Sequence, residues 1–120
     1  MAKRNPKKIL IVDDTQSISF VLEELLRDEG YNDIDVYDNA NDALKNINEK
    51  KEKPDIIITD YSMPGMNGIE LLEKVAPEKN NIKAIVMTAD PHSIKSKQKY
   101  TIVEKAMGFL EEILRVIGLT

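Results

Sequence analysis

The sequence predicts an α/β fold: a doubly wound, five-stranded parallel sheet with helices on both faces. Three observations predict it. Short apolar, β-branched runs recur along the chain, Ile9-Leu10-Ile11-Val12, Ile56-Ile57-Ile58-Thr59 and Ile102-Val103 among them, as expected of strands buried on both faces. Between such runs, apolar residues return at helical spacing. Charged residues stand where three of the runs end: Asp13-Asp14, Asp60 and Lys105. In an open α/β sheet the crevice outside the carboxyl ends of the strands is where ligands gather.

Lys7–Val12 is the first strand. The helix behind it carries Ile18, Val21, Leu22, Leu25 and Leu26, and Gly30 supplies its stop. Asp33–Tyr37 alternates weakly and suits a second, more exposed strand. Asn41 is the expected N-cap of a helix bearing Ala43, Leu44 and Ile47. Pro54 opens the third strand, Asp55–Thr59. Asn67 is expected to cap a third helix that turns Ile69, Leu72 and Val75 inward. Ile82–Met87 is the fourth strand and Tyr100–Glu104 the fifth. Phe109, Ile113, Val116 and Ile117 then define a last amphipathic helix ended by Gly118. Right-handed crossovers between these units give the doubly wound arrangement.

With 120 residues, the chain has the size of one domain, taken as residues 1–120. Hydrophobic residues at 42% and charged ones at 32% suit a globular rather than a disordered chain. Cysteine is absent, which excludes disulfides and thiolate metal sites and is compatible with a reducing cytoplasm. The basic start ending at Lys8 is followed by only a four-residue apolar run, so it does not read as a secretory signal. No run approaches the ~18 apolar residues of a membrane helix. A net charge of −4 argues against nucleic acid as a direct partner. No membrane partner is expected either.

Brought to one sheet edge, Asp13, Asp14 and Asp60 would repel one another and push a carboxyl pKa upward. A hard divalent cation relieves that conflict, and an oxygen-only ligand set suits Mg²⁺. Turn-capping aspartates after a strand are the plain alternative. Likewise a lone strand-end threonine such as Thr88 is usually packing, and a lone lysine is usually solvated. Met63 and Met66 read as packing residues, since thioethers suit softer metals. His92, the sole histidine, reads as an exposed loop residue. Lys95, Lys97 and Lys99 read as a solvated face.

The runs ending in Asp13-Asp14, the stretch Asp60-Tyr61-Ser62-Met63-Pro64-Gly65-Met66-Asn67-Gly68, then Val86-Met87-Thr88-Ala89 and Lys105, resemble the receiver domains of two-component response regulators, in order and over nearly the whole chain. The resemblance implies a flavodoxin-like sheet of order 2-1-3-4-5. It implies Asp60 as phosphoacceptor and Mg²⁺ held by Asp13, Asp14, Asp60 and the main-chain carbonyl of Ser62. Thr88 and Lys105 are implied as ligands of the phosphoryl oxygens. A sensor histidine kinase or phosphotransfer protein is the implied donor, and a downstream protein the implied target. On that reading the chain is a cytoplasmic, monomeric, stand-alone receiver that accepts and slowly releases a phosphoryl group, not a turnover enzyme.

Three departures from the family pattern stand out. Ala106 follows Lys105 where the family usually has a cis proline, and a cis bond before alanine costs ~3 kcal/mol, so trans is expected. Ile102 stands where a switching Tyr or Phe is usual, while Tyr100 shares its strand face. The span from Thr88 to Lys105 is roughly a helical turn short, and between them Ile94 is the only strong apolar residue. A shortened fourth helix is therefore expected in the segment Asp90–Lys99, with Asp90 as N-cap and Pro91 at the first helical position. These departures motivate a second reading, a pseudo-receiver that binds proteins independently of phosphorylation. A third, an aspartyl phosphohydrolase, lacks its general acid, because Ser62 occupies that position.

Overall fold

A computed structural model of the chain describes residues 5–94 and 100–118. Strand and helix alternate in it: β1 (Asn5–Val12), α1 (Gln16–Asp28), β2 (Tyr31–Tyr37), α2 (Ala40–Glu49), β3 (Ile56–Asp60), α3 (Gly68–Val75), β4 (Lys83–Thr88), a 3-10 turn (Pro91–Ser93), β5 (Thr101–Glu104) and α4 (Phe109–Gly118). The strands form one sheet of order β2-β1-β3-β4-β5. Every neighbouring pair is parallel.

The continuous apolar runs are explained by two buried faces. Leu10, Val12, Ile57 and Val86 pack with Ala43 and Ile47 of α2 and with Leu71, Leu72 and Val75 of α3. Ile9, Ile11, Ile56, Ile58, Ile85 and Met87 pack instead with Leu22 and Leu26 of α1 and with Ile113 and Ile117 of α4. Consecutive strand residues point to opposite faces, so each run feeds both layers. Each fully buried Ile or Leu contributes about 1.5–3 kcal/mol of transfer free energy. Truncating one of the central isoleucines, Ile58→Ala for instance, is expected to cost about 2–5 kcal/mol.

Local signals settle several element ends. Asn67 closes a capping box with Glu70: its side chain accepts from Glu70 N at 2.8 Å, and Glu70 Oε1 accepts from Asn67 N at 2.9 Å. Gly30 follows α1 with φ +101°, the left-handed position that stops a helix. The cap of α2 is Asn39, not Asn41: Asn39 Oδ1 accepts from Asp42 N at 2.8 Å, so the helix starts two residues earlier than expected. In α1, Val21 is 43% exposed and Ser19 is buried instead, its hydroxyl donating back to Gln16 O at 3.1 Å. An internally bonded hydroxyl can occupy a core-facing position.

Between β4 and β5 no α-helix occurs among the described residues. There is a single 3-10 turn, with Asp90 Oδ1 accepting from His92 N at 3.2 Å and Pro91 at the first position. Ile94, the only strong apolar residue there, is buried in the α2–α3 layer with Tyr100, and Ile102 packs against the same layer. Lys95, Lys97 and Lys99 lie outside the described residues. No cis peptide bond occurs among the described residues, so Ala106 follows Lys105 in trans. Nor is any helix among them long and apolar enough to cross a membrane.

Candidate functional site

Parallel, in-register strands end at a common edge, and that edge collects the charged residues. Val12 pairs with Thr59, which sets Asp13 beside Asp60. Asp60 pairs with Met87, one residue before Thr88. Thr88 pairs with Glu104, and Lys105 N donates to Thr88 O at 2.7 Å, which turns the Lys105 side chain back toward the edge. The backbone of Asp13 is held to Tyr37 O at 3.0 Å.

One carboxylate oxygen from each of Asp13, Asp14 and Asp60 lies within 4.8 Å of the others. Asp13 is 1% and Asp60 6% exposed, whereas Asp14 is open to solvent. Thr15 N donates to Asp13 Oδ1 at 2.8 Å and fixes that carboxylate in place. Lys105 Nζ stands 3.0 Å from Asp60 Oδ1 and 3.4 Å from Asp13 Oδ2. Thr88, 4% exposed, ends β4 with its hydroxyl accepting from Asp90 N at 3.1 Å. Ser62 lies exposed in the loop two residues past Asp60. The structure thus gathers Asp13, Asp14, Asp60 and Lys105 directly and sets Thr88 and Ser62 at the same sheet edge.

Burial pushes the Asp60 carboxyl above the ordinary aspartate range, and the charges of Asp13 and Asp14 push the same way. The Lys105 hydrogen bond and charge offset part of this. One ammonium does not neutralise three carboxylates, so a surplus of negative charge remains on hard oxygen donors. That donor set fits Mg²⁺ or a similar divalent cation. Met63 is buried in the α2–α3 layer and Met66 packs against it, away from any ligand role.

The Asp60–Gly68 loop returns tightly onto the strand it leaves. Gly65 has φ +77°, beside Pro64, which supplies the bend. Gly68 N donates to Tyr61 O at 2.9 Å. A Cβ on Gly68 would stand 2.3 Å from Asp60 O, so only glycine fits where α3 meets β3. Sequence reasoning assigned no site role to Gly68 or to Thr59, whose hydroxyl donates to Asp60 O at 3.0 Å. The available signal was a hydroxyl residue closing a run of three isoleucines.

The model of the response regulator receiver domain matches residues 9–112. Sporulation initiation phosphotransferase F of Bacillus subtilis is 41% identical over 83 residues, 69% of this chain and 64% of that protein. The two-component response regulator ARR14 of Arabidopsis thaliana is 36% identical over 83 residues, 69% of this chain and 22% of that protein. The chain therefore spans less than two thirds of the length of these curated relatives. Among solved structures, the response regulator TrrA of Thermotoga maritima, in complex with Mg(2+)-BeF, superposes with a TM-score of 0.79 at 35% identity, covering 95% of this chain and 99% of that one. With the family match, the strand order and the acidic edge in agreement, the chain belongs to the response regulator receiver domains.

Proposed function

We propose that this domain is a phosphoacceptor switch in which Asp60 receives a phosphoryl group. The single observation that carries the reading is the convergence of three carboxylates around Asp60 with Lys105 Nζ 3.0 Å from its Oδ1. Asp13, Asp14, Asp60 and the carbonyl of Ser62 would hold Mg²⁺, which would neutralise charge on the transferring oxygens. An Asp60 carboxylate oxygen attacks the phosphorus of a phosphohistidine. The new O–P bond forms as the P–N bond breaks, and the leaving imidazole takes a proton from water. The Lys105 ammonium meets one equatorial oxygen as a point charge, and the Thr88 hydroxyl donates to another. Water later cleaves the acyl phosphate and resets the switch, so the protein's own carboxylate is consumed and restored without turnover of an external substrate.

The donor on this reading is a histidine kinase or phosphotransfer protein of the cytoplasm, and the output a protein partner of the monomeric domain. Acetyl phosphate with Mg²⁺, followed by intact mass, tests it. One phosphoryl adduct is expected on the native chain and none on Asp60→Ala. A native chain without an adduct overturns the proposal. The 3-10 turn at Pro91–Ser93 favours one alternative, a domain that binds its partner whatever the state of Asp60. That alternative requires partner affinity to be the same with and without the phosphoryl group.

A further inference from the structure

We propose that Thr59 is a positioning residue for Asp60, fixing the peptide that carries the acceptor through its buried hydroxyl. This rests on the phosphoacceptor reading. Thr59 follows Ile56, Ile57 and Ile58 on the central strand, at a place where strand propensity and burial would be met equally well by valine. It is 0% exposed, and its neighbours in the sheet are Val12 on β1 and Val86 on β4. A hydroxyl in such surroundings costs free energy unless it is bonded. Its partner is Asp60 O at 3.0 Å.

The bonded carbonyl belongs to the peptide between Asp60 and Tyr61, and every side of that peptide is held. Tyr61 N donates to Met87 O at 2.8 Å, tying the next residue to β4. Tyr61 O accepts from Gly68 N at 2.9 Å, tying it to the first turn of α3. Gly68 packs so closely that a Cβ there would lie 2.3 Å from Asp60 O and 3.1 Å from Thr59 Oγ1. Thr59 is aligned with Ile57 toward the α2–α3 layer, while the Asp60 side chain turns into the acidic crevice on the other side of the strand. The hydroxyl thus fixes the Asp60 backbone from behind and leaves the carboxylate free for Lys105 and the incoming phosphorus. Displacing a nucleophile by a fraction of an ångström reduces the population of attack-ready geometry, which lowers rate without abolishing binding.

The test compares Thr59→Val, which keeps the β-branched shape, with Thr59→Ser, which keeps the hydroxyl. Phosphorylation by acetyl phosphate at saturating Mg²⁺ is followed by intact mass, and melting curves with and without Mg²⁺ are recorded for each. Thr59→Val is expected to slow adduct formation about tenfold while preserving the Mg²⁺-induced rise in melting temperature. Thr59→Ser is expected to recover the rate to within about twofold, although its smaller side chain packs less well. A purely structural Thr59 predicts the reverse order, with serine the poorer variant and rate tracking melting temperature. Adduct formation by Thr59→Val at the native rate overturns the positioning role alone. A native chain that never forms the adduct overturns the phosphoacceptor reading, and this role with it.

Discussion

The Lys105 ammonium lies 3.0 Å from Oδ1 of Asp60 and also 3.4 Å from Oδ2 of Asp13, so one cation restrains two carboxylates across the mouth of the crevice. Its side chain is 16% exposed and those of its partners 8% and 0%, so solvent screens the pairs only in part. Lys105→Met is expected to lower metal-free stability by about 2 kcal/mol, because the buried carboxylates lose their fixed counter-charge. Added Mg²⁺ should then stabilise this variant by more than it stabilises the native chain, since the ion becomes the sole compensation. Thermal melts with and without millimolar Mg²⁺ check both statements.

Asp13 and Asp14 are adjacent in sequence but differ in what they hold. Asp13 is buried, accepts from Thr15 N and faces Lys105, whereas Asp14 is exposed to solvent at the crevice. Asp14→Ala is therefore expected to weaken Mg²⁺ binding more than Asp13→Ala, and Asp13→Ala to cost more metal-free stability. For the native chain, Mg²⁺ at ten times its Kd is expected to raise stability by about 1.4 kcal/mol through mass action. A melting temperature indifferent to millimolar Mg²⁺ would contradict the metal site.

Asp60 also predicts a pH dependence of stability. Burial and two neighbouring carboxylates raise its pKa in the folded protein, so the folded state binds that proton more tightly than the unfolded chain does. Its ionisation thus costs stability, beginning as pH rises past the unfolded value of about 3.9 and complete above the raised folded value. Asp60→Asn removes this cost, while Asp13 remains beside Lys105. The variant should be more stable than the native chain at pH 7 without metal, by on the order of 1 kcal/mol. The advantage should shrink to nothing as pH falls below the unfolded value. Urea titrations across that range decide it, and a destabilised Asp60→Asn at pH 7 would assign Asp60 a structural role.

Gly68→Ala tests the junction of β3 and α3. The added Cβ would meet Asp60 O at 2.3 Å, against backbone that cannot yield as a flexible side chain does. A loss of about 2–3 kcal/mol is expected from overpacking. Alanine at Gly118, where nothing lies within 4 Å, is the matched control and should be near neutral or slightly stabilising.

The apolar runs and strand-end charges made the sheet and the acidic edge legible, because parallel strands buried on both faces leave little choice of pattern. The cap of α2 was not. Asn39, Asn41 and Asp42 are all competent caps, and the start of the helix is decided by where Ala40 and Ala43 must pack. Val21 looked inward on spacing alone, but a bonded Ser19 took the core position. Thr59 and Gly68 escaped notice because their roles depend on a contact between β3 and α3, and sequence periodicity carries no information on how closely two elements approach. The strand order, too, came from resemblance to a family.

On the phosphoacceptor reading, the turn after β4 is the route from the site to the surface. Thr88 Oγ1 accepts from Asp90 N at 3.1 Å, Asp90 O accepts from Ser93 Oγ at 2.8 Å and Ser93 N at 3.3 Å, and Pro91 O accepts from Ile94 N at 3.3 Å. These bonds link the Thr88 hydroxyl to Ile94, which is buried beside a cleft of about 330 Å³ shared with Tyr61, Ile69 and Glu73. The hydrogen bonds donated by the turn's amides are long, at 3.2–3.3 Å, and a 3-10 turn holds few of them, so these amides should exchange much faster than those of β4 in the unphosphorylated protein. On the phosphoacceptor reading, the Thr88 hydroxyl is expected to turn to a phosphoryl oxygen, so that its contact with Asp90 N is remade and the turn repacks around Ile94. Ordering of a segment is an established switching mode and needs no rotating aromatic at Ile102. Hydrogen exchange should therefore show protection rising at His92, Ser93 and Ile94 on adding beryllofluoride and Mg²⁺. Thr88→Val should remove that rise while leaving adduct formation at Asp60 detectable. Turn amides already as protected as those of β4 in the unphosphorylated chain would show a stable element here and leave this route without a switch.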